Sequence, residues 1–236
     1  MKKKSTLIII TSILLVAIIT FSVIFFGFYL PDKIKAEEMQ QMVKQYYANK
    51  LSLYQAENES YEDYEVDVAF LGDSLTDGYN LKEYYPQFVT ANRGIGGETT
   101  IGLESRMQVS VYDLKPKVAV MLIGGNNLDT MFSNYENILI GLKTNLPNTK
   151  VVLVSLTAMG RDWAYKNKLA CYNNVGIKKL ANKYGFTYVD IYTPLFNVET
   201  GELYAEYTND GVHFTAPGYQ VVTQTLTPVL TQLLSN

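Results

Sequence analysis

Short apolar runs recur along this chain, each closed by glycine or a polar turn, and helical patterns separate several of them. Val66–Leu71, apolar except for Asp67, ends at Gly72. Val118–Ile123, Val151–Leu156 and Phe186–Asp190 repeat the arrangement, and a weaker run lies near Phe88–Asn92. Runs this short and this rich in strand formers predict strands buried on both faces. Between them, helical spacing is found over Thr99–Val109, Asn134–Asn145 and Asn167–Tyr184. Thr215 and Pro217 mark the start of a last helix running toward Leu234. Alternating strand and helix predicts an α/β domain, a parallel sheet covered by helices on both faces. One domain of about 170 residues lies within ordinary limits and buries about 70% of its unfolded surface.

The pattern differs ahead of Val66. Lys2, Lys3 and Lys4 precede Leu7–Leu30, an uncharged and mostly apolar stretch. As a helix it would span about 36 Å, against about 30 Å for a hydrocarbon core. It ends Phe25-Phe26-Gly27-Phe28-Tyr29-Leu30-Pro31, without a small-residue cleavage site, which predicts an uncleaved signal anchor. The basic cluster would stay cytoplasmic and leave the rest of the chain outside, although Lys33 and Lys35 oppose that orientation. From Ala36 to about Asn58, Met39, Met42, Val43, Tyr46, Tyr47, Leu53 and Tyr54 recur at three- and four-residue steps, the pattern of an amphipathic stalk helix. Packing on the domain is the simplest use of that face; self-association and lying on a membrane surface are the alternatives. Glu57, Glu59, Glu62, Asp63 and Glu65 form an acidic linker. The chain thus divides into a basic tail and transmembrane anchor (1–35), a stalk and linker (36–65) and the α/β domain (66–236).

Chemistry concentrates at the ends of the predicted strands. Ser74 follows the first strand in Phe70-Leu71-Gly72-Asp73-Ser74-Leu75, where open α/β sheets place their sites. An isolated G-D-S would be read as a helix N-cap. Asn92-Arg93-Gly94-Ile95-Gly96-Gly97-Glu98-Thr99 is glycine-dense enough to bring backbone amides close to a substrate, but it lacks the lysine of a phosphate loop. Val118–Ile123 ends in Gly124-Gly125-Asn126-Asn127; Asn126 there can donate to an oxyanion, and Asn-rich turns also satisfy their own backbone. The single histidine, His213, stands three residues after Asp210. A serine hydrolase needs an imidazole base and a carboxylate to orient it, and no other histidine is available.

In this order the four blocks resemble the SGNH hydrolases, the GDSL family of esterases and lipases, from about Val66 to Leu230. The resemblance implies a three-layer α/β/α sandwich with a mostly parallel, flavodoxin-like five-stranded sheet. It implies Ser74 as nucleophile, His213 as general base and Asp210 as its orienting acid. The Ser74 amide, the Gly97 amide and the Asn126 side chain would form the oxyanion hole. Glu98 and Asn127 stand where the family often has Asp. The G-x-S-x-G elbow of ordinary α/β-hydrolases is absent.

Composition narrows the rest. The chain is formally −3, and more acidic without its three tail lysines. No basic stripe suits nucleic acid. Cys171 is the single cysteine, so no internal disulfide forms; it reads as a small core residue, and no cysteine closes the apolar segment for a lipoprotein anchor. A zinc reading of D-x-x-H needs more histidine or cysteine than the chain has, so no metal and no cofactor are implied. Among 19 tyrosines and one tryptophan, Tyr79, Trp163, Tyr165, Tyr204 and Tyr207 fall near or after strand ends, where they can stack on sugar rings or simply pack. The expectation is a membrane-anchored, extracytoplasmic esterase acting on short acyl or acetyl groups of a cell-envelope or external glycan. The alternatives are a lipid or lysophospholipid esterase, an acyltransferase on the same scaffold, and a non-catalytic glycan-binding protein.

Overall fold

The computed structural model describes Leu14, Ala17 and residues 20–235. The chain forms two compact units, Met1–Lys50 and Leu51–Asn236. In the second, five parallel strands lie in the order β2-β1-β3-β4-β5. They are β1 (Val68–Gly72), β2 (Thr90–Gly94), β3 (Val118–Leu122), β4 (Lys150–Val154) and β5 (Thr187–Val189). This is the flavodoxin-like order, whose switch point lies between β1 and β3. β1 is buried along its whole length, as its unbroken apolar run requires, and Gly72 pairs with Gly94 on one side and Leu122 on the other. Helices Phe132–Asn145, Asn167–Tyr184 and Ala216–Ser235 pack against the sheet through residues such as Leu139, Ile177 and Leu226.

Several sequence expectations change. β2 starts at Thr90, two residues later than the weak apolar run, because this edge strand carries Asn92 and Arg93, whose polar groups bond to neighbouring elements. The helix expected over Thr99–Val109 breaks at Arg106; Thr100–Ser105 is helical and Gln108–Tyr112 forms a wider i→i+5 turn. A small antiparallel ribbon of β6 (Phe196–Asn197) and β7 (Glu202–Leu203) had no signal in the periodicity. Cys171 is exposed, not a core residue, since Ala170, Asn174, Ile177 and Ala181 form the inward face of its helix.

A single helix runs from Leu30 to Asn58. Of its apolar residues only Tyr54 is buried; Met39, Met42, Val43 and Leu53 are exposed. The second compact unit therefore begins ahead of Val66 and takes in the end of this helix. Within the apolar segment Leu7–Leu30, residues 7–13, 15, 16, 18 and 19 lie outside the described residues; among the described residues no helix is long and apolar enough to cross a membrane.

Candidate active site

β1 turns sharply into the short helix Ser74–Asp77. A Cβ on Gly72 would meet Thr76 Oγ1 at 2.1 Å and the Leu122 carbonyl at 2.5 Å, so only glycine lets the strand close on this helix. Asp73 caps it, accepting from the Leu75 amide at 3.1 Å. Asp73 is 5% exposed. Burial raises its pKa to about 6, against the opposing effects of the Leu75 amide and nearby His213.

His213 arrives from the far end of the chain. Its Nδ1–H donates to Asp210 Oδ2 at 2.7 Å, which leaves Nε2 to accept from the Ser74 hydroxyl at 2.9 Å. Asp210 Oδ1 accepts the Val212 and His213 amides at 2.9 and 2.8 Å, so one carboxylate shapes the loop and orients the ring. Burial would raise the Asp210 pKa, but the His213 ring and these two amides outweigh it and hold the carboxyl well below the usual range. At Gly211, φ +91°, an added Cβ would collide with the Gly160 carbonyl, and the Gly160 amide donates to the Gly211 carbonyl at 2.8 Å. The loop after β4 thereby holds the histidine loop in place.

The glycine loop is tied down by a buried ion pair. Gly97 stands exposed at φ +74°, a left-handed conformation that favours glycine. The next residue, Glu98, bonds to Arg106 Nε at 2.9 Å, and both side chains are almost fully buried. Arg106 also donates to the Gly72 and Arg93 carbonyls at 3.1 and 3.0 Å, so one guanidinium joins the ends of β1 and β2 to the glycine loop. Asn126 donates to the Glu98 carbonyl at 2.8 Å, which uses one of its two amide hydrogens. Asn127 brackets the start of the next helix, donating to Thr100 Oγ1 at 2.9 Å and accepting from its amide at 3.3 Å. Glu98 and Asn127, the two departures from the commoner family pattern, are thus scaffold residues.

Ser74, Asn126, Asp210, His213 and Trp163 line one pocket of about 180 Å³, together with Asp73, Lys166 and the apolar Leu75, Leu122, Leu156, Met159 and Val212. Gly97, Tyr79 and Tyr165 do not line it. Tyr79 belongs to an aromatic cluster: its ring stacks on Tyr219 at 4.6 Å and its hydroxyl bonds Thr223 at 2.5 Å. Tyr165 is 74% exposed and borders a neighbouring groove. Sequence reasoning missed Arg106, Asn167 and Asn174. The two asparagines clamp the loop that walls the pocket, Asn167 on Met159 N and O at 2.8 Å each, Asn174 on Leu156 N at 2.7 Å. Asparagines inside a helical pattern are the one sign they leave in the sequence. No cluster able to hold a metal occurs among the described residues.

A model of the GDSL-like Lipase/Acylhydrolase family matches residues 70–221. The chain belongs to this family. It is an ester-hydrolysing enzyme of the GDSL class, and the strand order above is the family's three-layer fold. A search of curated proteins found no match. Among solved structures, a putative platelet activating factor protein from Streptococcus pneumonia superposes with a TM-score of 0.75 at 23% identity, covering 84% of this chain and 99% of its own. A putative acylhydrolase from Bacteroides fragilis gives 0.68 at 25% identity, covering 77% and 95%. An acetylxylan esterase from Geobacillus stearothermophilus gives 0.59 at 18% identity, covering 71% and 95%.

Proposed function

We propose that this GDSL hydrolase removes short acyl groups, acetyl foremost, from the hydroxyls of a cell-envelope or external glycan, using Ser74, His213 and Asp210 through an acyl-enzyme. The aligned pair of contacts, Ser74 Oγ to His213 Nε2 and His213 Nδ1 to Asp210, carries the reading. As Oγ attacks the ester carbonyl, Nε2 takes its proton, and the imidazolium returns that proton to the leaving sugar oxygen. Water, deprotonated by the same nitrogen, then attacks the acyl carbon and frees Ser74. The Ser74 and Gly97 amides and the spare Asn126 amide hydrogen hold the oxyanion.

Pocket size supports a short acyl chain. An apolar cavity of about 150 Å³ holds one benzene, so the 180 Å³ here suits a few carbons and not a fatty tail. Trp163, 42% exposed beside Ser74, offers a face for a sugar ring, and a neighbour of the same fold is an acetylxylan esterase. The tail lysines and the apolar Leu7–Leu30 support a membrane-anchored enzyme with its hydrolase outside.

The test compares p-nitrophenyl esters of increasing chain length, then acetylated polysaccharide against lysophospholipid at equal enzyme. The expected result is the highest kcat/KM from acetate to butyrate and release of free acetate, with Ser74→Ala inactive and no longer labelled by a fluorophosphonate. A buried CH₂ is worth about 0.8 kcal/mol, so a lipid site would reward chain length steeply. Fatty acid as the sole product would replace the glycan with a lipid, and activity retained in Ser74→Ala would remove the mechanism.

A further inference from the structure

The end of the long helix reaches the strand edge beside the nucleophile. Tyr54 is 1% exposed, and its hydroxyl donates to the Gly94 carbonyl at 2.5 Å. Its ring lies 4.8 Å from the guanidinium of Arg93, a fully buried cation. Arg93 pairs with Glu57 and donates to Asn58 Oδ1 at 3.1 Å, and Asn58 donates to the Val109 carbonyl at 2.7 Å. A buried charge is costly to leave unpaired, so the helix end that supplies these partners is firmly seated.

Gly94 is where this contact meets the catalytic centre. A Cβ there would lie 2.2 Å from the Asp77 amide nitrogen, so the Gly94 backbone rests directly on the helix that begins with Ser74. Asn92 ties the two together, accepting from the Gly94 amide at 2.9 Å and donating to the Thr76 carbonyl at 2.7 Å. The peptide that joins Gly94 to Ile95 is held at both ends: Tyr54 bonds its carbonyl, and its N–H donates to the Gly72 carbonyl at 3.2 Å. Gly97 lies two residues further on.

We propose that Tyr54 is a positioning residue, whose hydroxyl fixes the Gly94–Ile95 peptide plane and through it the Gly97 amide relative to Ser74. The proposal rests on Gly97 being an oxyanion donor. It makes the last turns of the long helix part of the catalytic apparatus, although they precede the first strand and touch no substrate.

Full-length Tyr54→Phe tests this, because it keeps the ring under Arg93 and removes only the hydroxyl; Leu53→Ala, on the exposed side of the same helix, is the control. Losing an oxyanion donor costs about 10²–10³ in kcat and loosening one costs less, so kcat on p-nitrophenyl acetate should fall about tenfold with KM nearly constant. Amide exchange over Ile95–Glu98 should quicken while β3 and β4 keep their protection, and Leu53→Ala should change neither. Unaltered kcat and exchange, an effect on KM alone, or faster exchange throughout the domain would each overturn the positioning role. Undiminished turnover in Ser74→Ala would sink the catalytic reading and the role of Tyr54 with it. Normal dependence on Ser74 with an indifferent Tyr54→Phe overturns the positioning role alone.

Discussion

The two halves of the site are built in opposite ways. On the nucleophile side, Asp73, Glu98 and Arg106 are 5, 7 and 3% exposed, and one guanidinium joins two strand ends to the glycine loop. On the base side, the His213 and Asp210 side chains are each 54% exposed, on a loop held by the Asp210 carboxylate and by the bond between Gly160 and Gly211. Under the proposed mechanism the contrast follows from the task of each half. Oxyanion donors work only if they are aimed in advance at a charge that appears in the transition state, and burial fixes their aim. An imidazole that exchanges protons with serine, alcohol and water must be reachable, and a single oriented hydrogen bond sets its tautomer. Stability should therefore reside in the first half, and the second should be nearly free of it.

The sharpest way to break this comparison is to delete the base. His213→Ala should lower kcat by about 10⁴–10⁶, the range for loss of a member of such a triad. Its urea midpoint should stay close to that of the parent, because substitutions at exposed sites usually fall within about 0.5 kcal/mol. Parallel ester assays and denaturation curves would show it. A variant that unfolds early would make the histidine loop a structural element after all.

Arg106→Met should reverse the pattern. It leaves Glu98 buried without its cation and withdraws donors from the Gly72 and Arg93 carbonyls. Removing one partner of a buried pair costs about 3–5 kcal/mol. Denaturant midpoints should fall accordingly, and kcat should drop while KM changes little, since the amide near Glu98 loses its aim before substrate contacts do. A variant of parental stability would show that the ion pair is dispensable packing.

The sequence displayed one half of this contrast and hid the other. β1, β3 and β4 were legible because strands buried on both faces leave unbroken apolar runs. Ser74, Asn126, Asp210 and His213, which the fold brings into one pocket, stood out in short local blocks. Arg106 was not: its partners come from Gly72, Arg93 and Glu98, a grouping that exists only once the sheet has formed. Tyr79 misled for a related reason. A tyrosine just past a strand end looks like a ligand platform until the last helix supplies Tyr219 and Thr223 to cover it. The stalk pattern misled differently: the spacing gathers Met39, Met42, Val43 and Tyr54 on one side of the helix, but of these only Tyr54 is buried.

The smallest predicted effect separates burial from catalysis at the junction of the two halves. Asp73 has a folded pKa of about 6 against an ordinary 3.8, because burial disfavours its charge. As pH rises from about 4 to about 6, the unfolded chain ionises first, so the folded state loses stability. The deficit is complete above about pH 6 and absent below about pH 4. Roughly two units correspond to about 3 kcal/mol, which is a ceiling for this group. Asp73→Asn keeps a side-chain oxygen for the Leu75 amide and cannot ionise. It should therefore match the parent near pH 4 and exceed it in stability above pH 6. Asp210, whose pKa is lowered, acts in the other direction, its stabilisation being lost only as pH falls through the acid range. That loss is common to both proteins, so the difference between their urea midpoints from pH 4 to pH 8 isolates Asp73. A flat difference would mean that His213 and the Leu75 amide offset the burial of the carboxylate in full, and that the nucleophile side carries its charge without strain.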